Sequence, residues 1–280
     1  MKNKRNIAYV LLVIIIFTIL AGCGKSVKKN IGETFKFTDA KGKEYTARLL
    51  EGVKKNPYTK SAFIKSGQIM TYSDEKFTGR MGIDVSAHQK EIDWKKVKAS
   101  GVTFVFIRIG FRGYGQTGDI RLDSMFKKNI KEAQKAGIAV GVYFFSQAVN
   151  ESEAKEEAEF VRSNLKDCKL QLPVVYDPET VDAKDARTAG VGGMQFTKNA
   201  VAFCSAIKAA GYTPMIYANM LWEAYFLDLR QLSEYPIWYA DYLPTPQIPY
   251  YFSYWQYSAT GKIDGIKGNV DLNIQMIPRS

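Results

Sequence analysis

The chain has 280 residues, 46% of them hydrophobic and 24% charged, an ordinary globular composition with room for one large domain and a short extension. Its formal net charge of +11 suits contact with anionic polymers or lipid headgroups. Three cysteines and a single histidine offer no Cys/His metal spacing, so a metal centre of that kind is excluded, and no cofactor is called for.

The N-terminus reads as a leader. Lys2, Lys4 and Arg5 precede an apolar run from Ile7 to Ala21, roughly the length of a signal h-region and short for a membrane span. The run ends Leu20-Ala21-Gly22-Cys23 and resembles a bacterial lipoprotein signal, which implies cleavage after residue 22 and a lipid on Cys23. An uncleaved N-terminal anchor is the alternative, and both place the chain outside the cytoplasmic membrane. Without the leader, 36 basic residues stand against 28 acidic ones, a net +8. Charge alone would suit nucleic acid, but an exported chain is not expected to bind it. Cys168 and Cys204 are left as a disulfide pair or as free thiols, and the apolar helix around Cys204 favours a free, buried thiol.

Residues 23–80 read as a lysine-rich stem. Thr34–Phe37 and Glu44–Ala47 alternate about the turn Asp39–Gly42, which predicts a β-hairpin; the rest, to Arg80, is polar and irregular and shows no chemistry. From Met81 a regular pattern begins and runs to Ser280. Strands are predicted at 82–86, 103–109, 139–145, 172–176, 214–217, 236–239, 252–257 and 268–272. Helices are predicted at 125–136, 151–165 and 196–210, the first and last closed by Gly137 and Gly211. Apolar strands alternating with amphipathic helices indicate a parallel sheet. No glycine-rich phosphate loop follows the first strand, so the pattern predicts an α/β fold of irregular β/α-barrel type.

In such a barrel the C-terminal strand ends converge on one rim. Read in order they carry Asp84, Arg108, Phe145, Asp177 with Glu179, Tyr217 with Asn219, Tyr239 with Asp241, Gln256 with Tyr257, and Asp271. The segment Tyr176-Asp177-Pro178-Glu179 is the most informative of these. Side chains two apart on a strand leave on one side, so both carboxyls are predicted to share one space. Crowded carboxyls do not ionise freely, and one that keeps its proton near neutrality can serve as a general acid.

Together these segments resemble glycoside hydrolase family 25, the N-acetylmuramidase lysozymes. The resemblance is carried by Gly82–Ser86 with His88-Gln89, Ile107-Arg108, Gly141–Ser146, the Asp177/Glu179 pair, Ile216-Tyr217, Trp238–Tyr242, Trp255–Tyr257 and Val270-Asp271, over about residues 81–275. It implies cleavage of the β-1,4 bond between N-acetylmuramic acid and N-acetylglucosamine in peptidoglycan glycan strands, by a monomer. One departure is Pro178, where the family usually has an aliphatic residue.

By this resemblance Glu179 is the general acid. Asp177 is its partner, either as a base or by orienting the substrate's 2-acetamido group as an internal nucleophile. Asp84 and Asp271 match the family's other two acidic positions. Tyr217, Tyr239, Trp255 and Tyr257 are candidates for stacking on sugar rings or for core packing. Asp241 and Gln256 are expected at the substrate, and Arg108 is expected to form a buried ion pair with one of these acids. His88 is expected in a structural hydrogen bond. A lone histidine argues against a Ser-His-Asp triad centred elsewhere and against a metal-dependent polysaccharide deacetylase. The competing function is a wall-binding lipoprotein whose barrel does not catalyse.

Overall fold

The structure, a computed structural model, describes residues 32–39, 41–166 and 168–280. The leader, with Cys23 and the lipid expected on it, lies outside the described residues. Strands β1 (Thr34–Thr38) and β2 (Glu44–Arg48) form the expected antiparallel hairpin, with Phe37 opposite Tyr45. Asp39 closes its turn by accepting the backbone N–H groups of Lys41 and Lys43, each at 2.9 Å.

The rest of the expected stem is not irregular. A second antiparallel hairpin, β3 (Phe63–Ser66) and β4 (Ile69–Tyr72), precedes β5 (Phe77–Val85), so the first barrel strand starts before residue 81. Phe63, Met70 and Tyr72 are buried, which gives this polar-looking segment an apolar face. Residues Glu33–Ser280 form one compact unit. The Tyr58 hydroxyl donates to the Phe252 carbonyl (2.6 Å) and the Leu50 N–H to the Tyr250 hydroxyl (2.7 Å), tying the segment to the far end of the chain. It is packed against the barrel and is not a free spacer.

The barrel continues through α1 (Trp94–Ala99), β6 (Phe104–Arg112), β7 (Ile120–Leu122), α2 (Phe126–Lys135), β8 (Ala139–Ser146) and α3 (Glu151–Leu165). Then come β9 (Val174–Pro178), α4 (Gly193–Ala209), β10 (Pro214–Asn219), β11 (Ile237–Ala240), β12 (Tyr254–Gly261) and β13 (Val270–Pro278). Eight strands close in the order β5-β6-β8-β9-β10-β11-β12-β13, with β13 returning to β5 and β7 added to β6 as an antiparallel edge. Neighbours from β5 to β12 are parallel, whereas β13 runs antiparallel to both β12 and β5. Helices α2, α3 and α4 fall within a few residues of their sequence-predicted positions. The Asn150 carboxamide caps α3 by accepting the Glu153 N–H at 3.0 Å.

Alternation along each strand splits the apolar residues into two cores. Phe104, Phe106, Val175, Met215, Tyr217, Trp238 and Tyr254 fill the lumen, and their alternates pack outward under the helices. Phe106 stacks on Trp238 at 4.7 Å. Two glycines make room for the phenylalanines: a Cβ at Gly82 would stand 2.3 Å from the Phe104 ring, and one at Gly141 would stand 2.5 Å from Phe106. Cys168 and Cys204 are both free thiols, and Cys204 is fully buried on α4.

Candidate active site

The lumen packing stops at a ring of polar groups. Asp84 is the penultimate residue of β5 and Asp177 of β9, and Glu179 follows β9 directly. Val175 points into the lumen, so Asp177, two residues on, turns the same way. Pro178 ends β9 opposite Ser146. The backbone of Glu179 is held from behind: its carbonyl accepts the Gln147 side-chain amide at 2.6 Å.

Asp271 reaches this rim by a different route from the one expected. It is the second residue of β13, not the end of a parallel strand. Because β13 runs antiparallel to β5, Asp271 lies directly opposite Asp84. The two carboxyls are within hydrogen-bonding reach. Burial first and the nearby Asp271 second hold the Asp84 carboxyl well above its usual range, against the donated hydrogen bonds of Asn273 and Gln256. Asp84 Oδ2 accepts the Gln256 amide at 2.9 Å and the Asn273 amide at 2.8 Å. Asp271 is also raised by burial, and its hydrogen bond with Asp84 opposes the rise.

Asp177 is buried and raised well above the ordinary carboxylate value, by desolvation first and then by Glu179 and Asp84; Arg108 opposes the shift. Its Oδ1 is buried with no hydrogen-bond partner in the protein. Glu179 is only half-buried and faces a cleft of about 560 Å³ shared with Tyr217, Asn219, Asp241 and Tyr242. Desolvation, then the charge of Asp271, pushes its carboxyl up to about 7. The rim thus crowds four carboxyls, and Glu179, which lines the cleft, is poised to carry a proton near neutrality.

Gln256 organises the opposite side. Its Oε1 accepts the hydroxyls of Tyr217 (3.0 Å) and Tyr242 (2.8 Å) while its Nε2 donates to Asp84. Asp241 also lines the cleft. Its Oδ2 accepts the Tyr239 hydroxyl (2.8 Å) and the Gln247 N–H (3.1 Å), so its carboxylate also shapes the following loop.

Three expectations need correction, those for Tyr239, Trp255 and Arg108. Tyr239 and Trp255 are fully buried in the outer core and do not reach the cleft; Tyr239 packs on Phe252 at 5.6 Å. Strand parity is the reason: Trp238 and Tyr254, one residue earlier, take the lumen side. Tyr257 takes the core-packing alternative and lies outward, its hydroxyl accepting the Met70 N–H at 3.3 Å. Arg108 is paired with Asp123 (Nε to Oδ2, 2.8 Å) and not with a rim acid. His88 donates its backbone N–H to Ser86 Oγ at 3.2 Å, and among the described residues its imidazole makes no hydrogen bond, so the structural bond expected of the side chain is not seen. Tyr242 and Asn273 were not singled out. Each lies within two residues of an acid that was, and that adjacency is the signal that would have found them.

The family profile "Glycosyl hydrolases family 25" matches residues 83–266. This span contains Asp84, Asp177 and Glu179, with Asp271 just beyond it. Lysozyme M1 of Streptomyces globisporus is 30% identical over 207 residues, covering 70% of this chain and 67% of its own length. The bacterial lysozyme of Streptomyces coelicolor superposes with a TM-score of 0.57 at 28% identity, over 70% of this chain and 91% of that one. The modular autolysin LytC of Streptococcus pneumoniae, solved with a synthetic peptidoglycan ligand, shares the fold at a TM-score of 0.64 and 23% identity; the likeness covers 85% of this chain and 56% of LytC. The profile match, the lysozyme relatives and the closed barrel with its acidic rim agree: the chain belongs to glycoside hydrolase family 25.

Proposed function

We infer that the barrel is a lysozyme-type hydrolase of peptidoglycan, cutting the β-1,4 bond between N-acetylmuramic acid and N-acetylglucosamine. The observation that carries this reading is Glu179 at the cleft, its carboxyl pushed up to about 7 beside three further acids. Glycoside cleavage needs a proton delivered to the leaving oxygen and a negative partner for the oxocarbenium-like centre. Glu179, protonated near neutral pH and open to the cleft, delivers the proton. Asp177 sits deeper, and its Oδ1 lacks a protein donor. An unpaired buried oxygen costs about 1–3 kcal/mol, a cost relieved if a substrate N–H supplies the missing bond. Asp177 therefore orients the 2-acetamido group so that its carbonyl attacks the anomeric carbon. Asp84 and Asp271 hold a shared proton behind this pair, and Tyr217, Tyr242 and Gln256 form a hydrogen-bonded wall for the sugar.

The leader supports action outside the cytoplasmic membrane, with the chain tethered as a monomer by a lipid on Cys23. Labelling cells with an alkyne fatty acid checks the anchor; label that persists in Cys23→Ser would remove it.

The deciding assay incubates the full chain, in mild detergent, with purified peptidoglycan and analyses new reducing ends by mass spectrometry. Ends in reducing N-acetylmuramic acid, lost in Glu179→Gln, are expected. Reducing N-acetylglucosamine ends would overturn the bond assignment. No new ends from folded protein that still binds the wall would favour a binding role.

A further inference from the structure

One wall of the cleft does not come from the barrel. Thr38, Asp39, Lys41, Lys43 and Tyr45 of hairpin β1–β2 line the same cavity as Glu179. The hairpin is held in place there. Thr38 exchanges two hydrogen bonds with the Gln247 amide, N–H to Oε1 at 2.8 Å and Nε2 to the Thr38 carbonyl at 2.9 Å. The same Nε2 lies 3.2 Å from Asp241 Oδ2, so one side chain links the hairpin to the rim. Behind the wall Phe37 stacks on Tyr45 at 5.2 Å, and the Tyr225 hydroxyl donates to the Thr46 carbonyl at 3.2 Å.

The charge on this wall is unbalanced. Asp39, the one acid of the turn, is engaged within it by the N–H groups of Lys41 and Lys43 and by the Tyr45 hydroxyl at 3.0 Å. Among the described residues neither lysine ammonium enters a salt bridge. Both are exposed, and Lys43 Nζ lies 5.0 Å over the Tyr45 ring. A neutral glycan gives two such cations nothing to pair with. Muramic acid differs from glucosamine by a lactyl group on O3, and in the wall this group carries a peptide rich in carboxylates.

We propose that the β1–β2 hairpin is a specificity wall in which Lys41 and Lys43 pair with carboxylates of the peptide on a muramic acid bound beside Glu179. This rests on the muramidase reading. It makes the enzyme prefer peptide-bearing strands to bare ones and gives a role to a segment outside the barrel.

The test uses the full chain in mild detergent with two substrates: soluble glycan strands bearing peptides, and the same strands stripped by an amidase. The double variant Lys41→Ala/Lys43→Ala is expected to raise KM for peptide-bearing strands about fivefold, the scale of two exposed ion pairs. The ratio of kcat/KM between the two substrates should fall toward one, and added salt should erase the difference between variant and parent. Lys41→Arg/Lys43→Arg should restore the preference. Equal KM in variant and parent, or equal losses on both substrates, would overturn the proposal. Binding of both strands to Glu179→Gln, with and without the lysine changes, is read by calorimetry. If the parent makes no reducing muramic acid ends, the muramidase reading fails on its own, while lysine-dependent binding of peptide-bearing strands still upholds the wall and lysine-independent binding overturns it.

Discussion

Two acidic clusters in this barrel solve the same problem in opposite ways. At the rim, Asp84, Asp177, Glu179 and Asp271 crowd together with Arg108 as the nearby cation, and that arginine is already paired with Asp123. Between β6 and α3, Glu153, Glu156 and Glu157 meet two arginines. Arg112 contacts Glu157 at 2.8 Å and Glu156 at 3.2 Å, and Arg187 grips Glu153 with two bonds of 2.7 and 2.8 Å. Burial pushes Glu157 up to about 7 against Ser146 and Arg112, the same value that Glu179 reaches. A raised carboxyl is therefore not by itself a catalytic acid. Glu157 is fully buried, its two oxygens taken by Arg112 and by the Ser146 hydroxyl at 2.6 Å. Glu179 faces an open cleft. Access and a missing partner, more than proton affinity, separate the rim cluster from the buried one.

The sharpest way to break this comparison is to neutralise one acid of the rim cluster. Glu179→Gln is expected to lower kcat about 10³-fold, within the range for loss of a general acid, with the melting temperature unchanged or raised. Retained turnover would move the proton donor elsewhere on the rim. Next in size is Arg112→Ala, which strands Glu157 in the interior. A loss of about 3–5 kcal/mol in chemical unfolding is expected, with kcat/KM near the parent value while the protein stays folded; an activity loss without destabilisation would mean that this cluster also serves the reaction.

The pH response is smaller and has a defined sign. Burial pushes the carboxyls of Glu179 and Glu157 up to about 7 from the ordinary glutamate value near 4.5. Between these limits the folded state binds more protons than the unfolded state, so stability falls as pH rises from about 5 to 8. The Glu179 share is about 1–3 kcal/mol at pH 8 and should vanish in Glu179→Gln, measured by urea unfolding across pH. Activity should fall over the same interval above pH 7 as the acid loses its proton. A flat stability profile would contradict the crowded rim. Smallest is Tyr239→Phe, which deletes the hydrogen bond to Asp241. About 0.5–1.5 kcal/mol of stability should be lost, with KM close to the parent value, since the ring lies outside the cleft; a large rise in KM would return Tyr239 to the sugar site.

The barrel was legible because its strands are apolar runs with amphipathic helices between them, and the Asp177/Glu179 pair because alternation is a local rule. What escaped depended on relations between strands. Asp271 was placed correctly on the rim for a mistaken reason, since strand direction is not written in a run of five residues. Tyr239 and Trp255 were assigned to the site although their neighbours Trp238 and Tyr254 face the lumen. Parity is plain within one strand, but which parity points inward is set by register with the next, here Tyr217 beside Trp238 and Trp238 beside Tyr254. The N-terminal segment looked like a lysine-rich spacer because its buried face comes from scattered residues, Tyr58, Phe63, Met70 and Tyr72, that meet only on the surface of the barrel.

The antiparallel closure by β13 also has a kinetic meaning. Asp84 and Asp271 stand side by side but belong to the first and last strands of the ring. Joining such distant segments is the slow, entropically costly step of forming a closed sheet. Until it happens the ring is open and Asp84 lacks both Asp271 and the Asn273 amide. A nascent chain that has emerged only as far as β12 can be largely folded and still lack the paired carboxyls of Asp84 and Asp271 behind Glu179. Cutting power would then appear late and all at once, when the last strand docks.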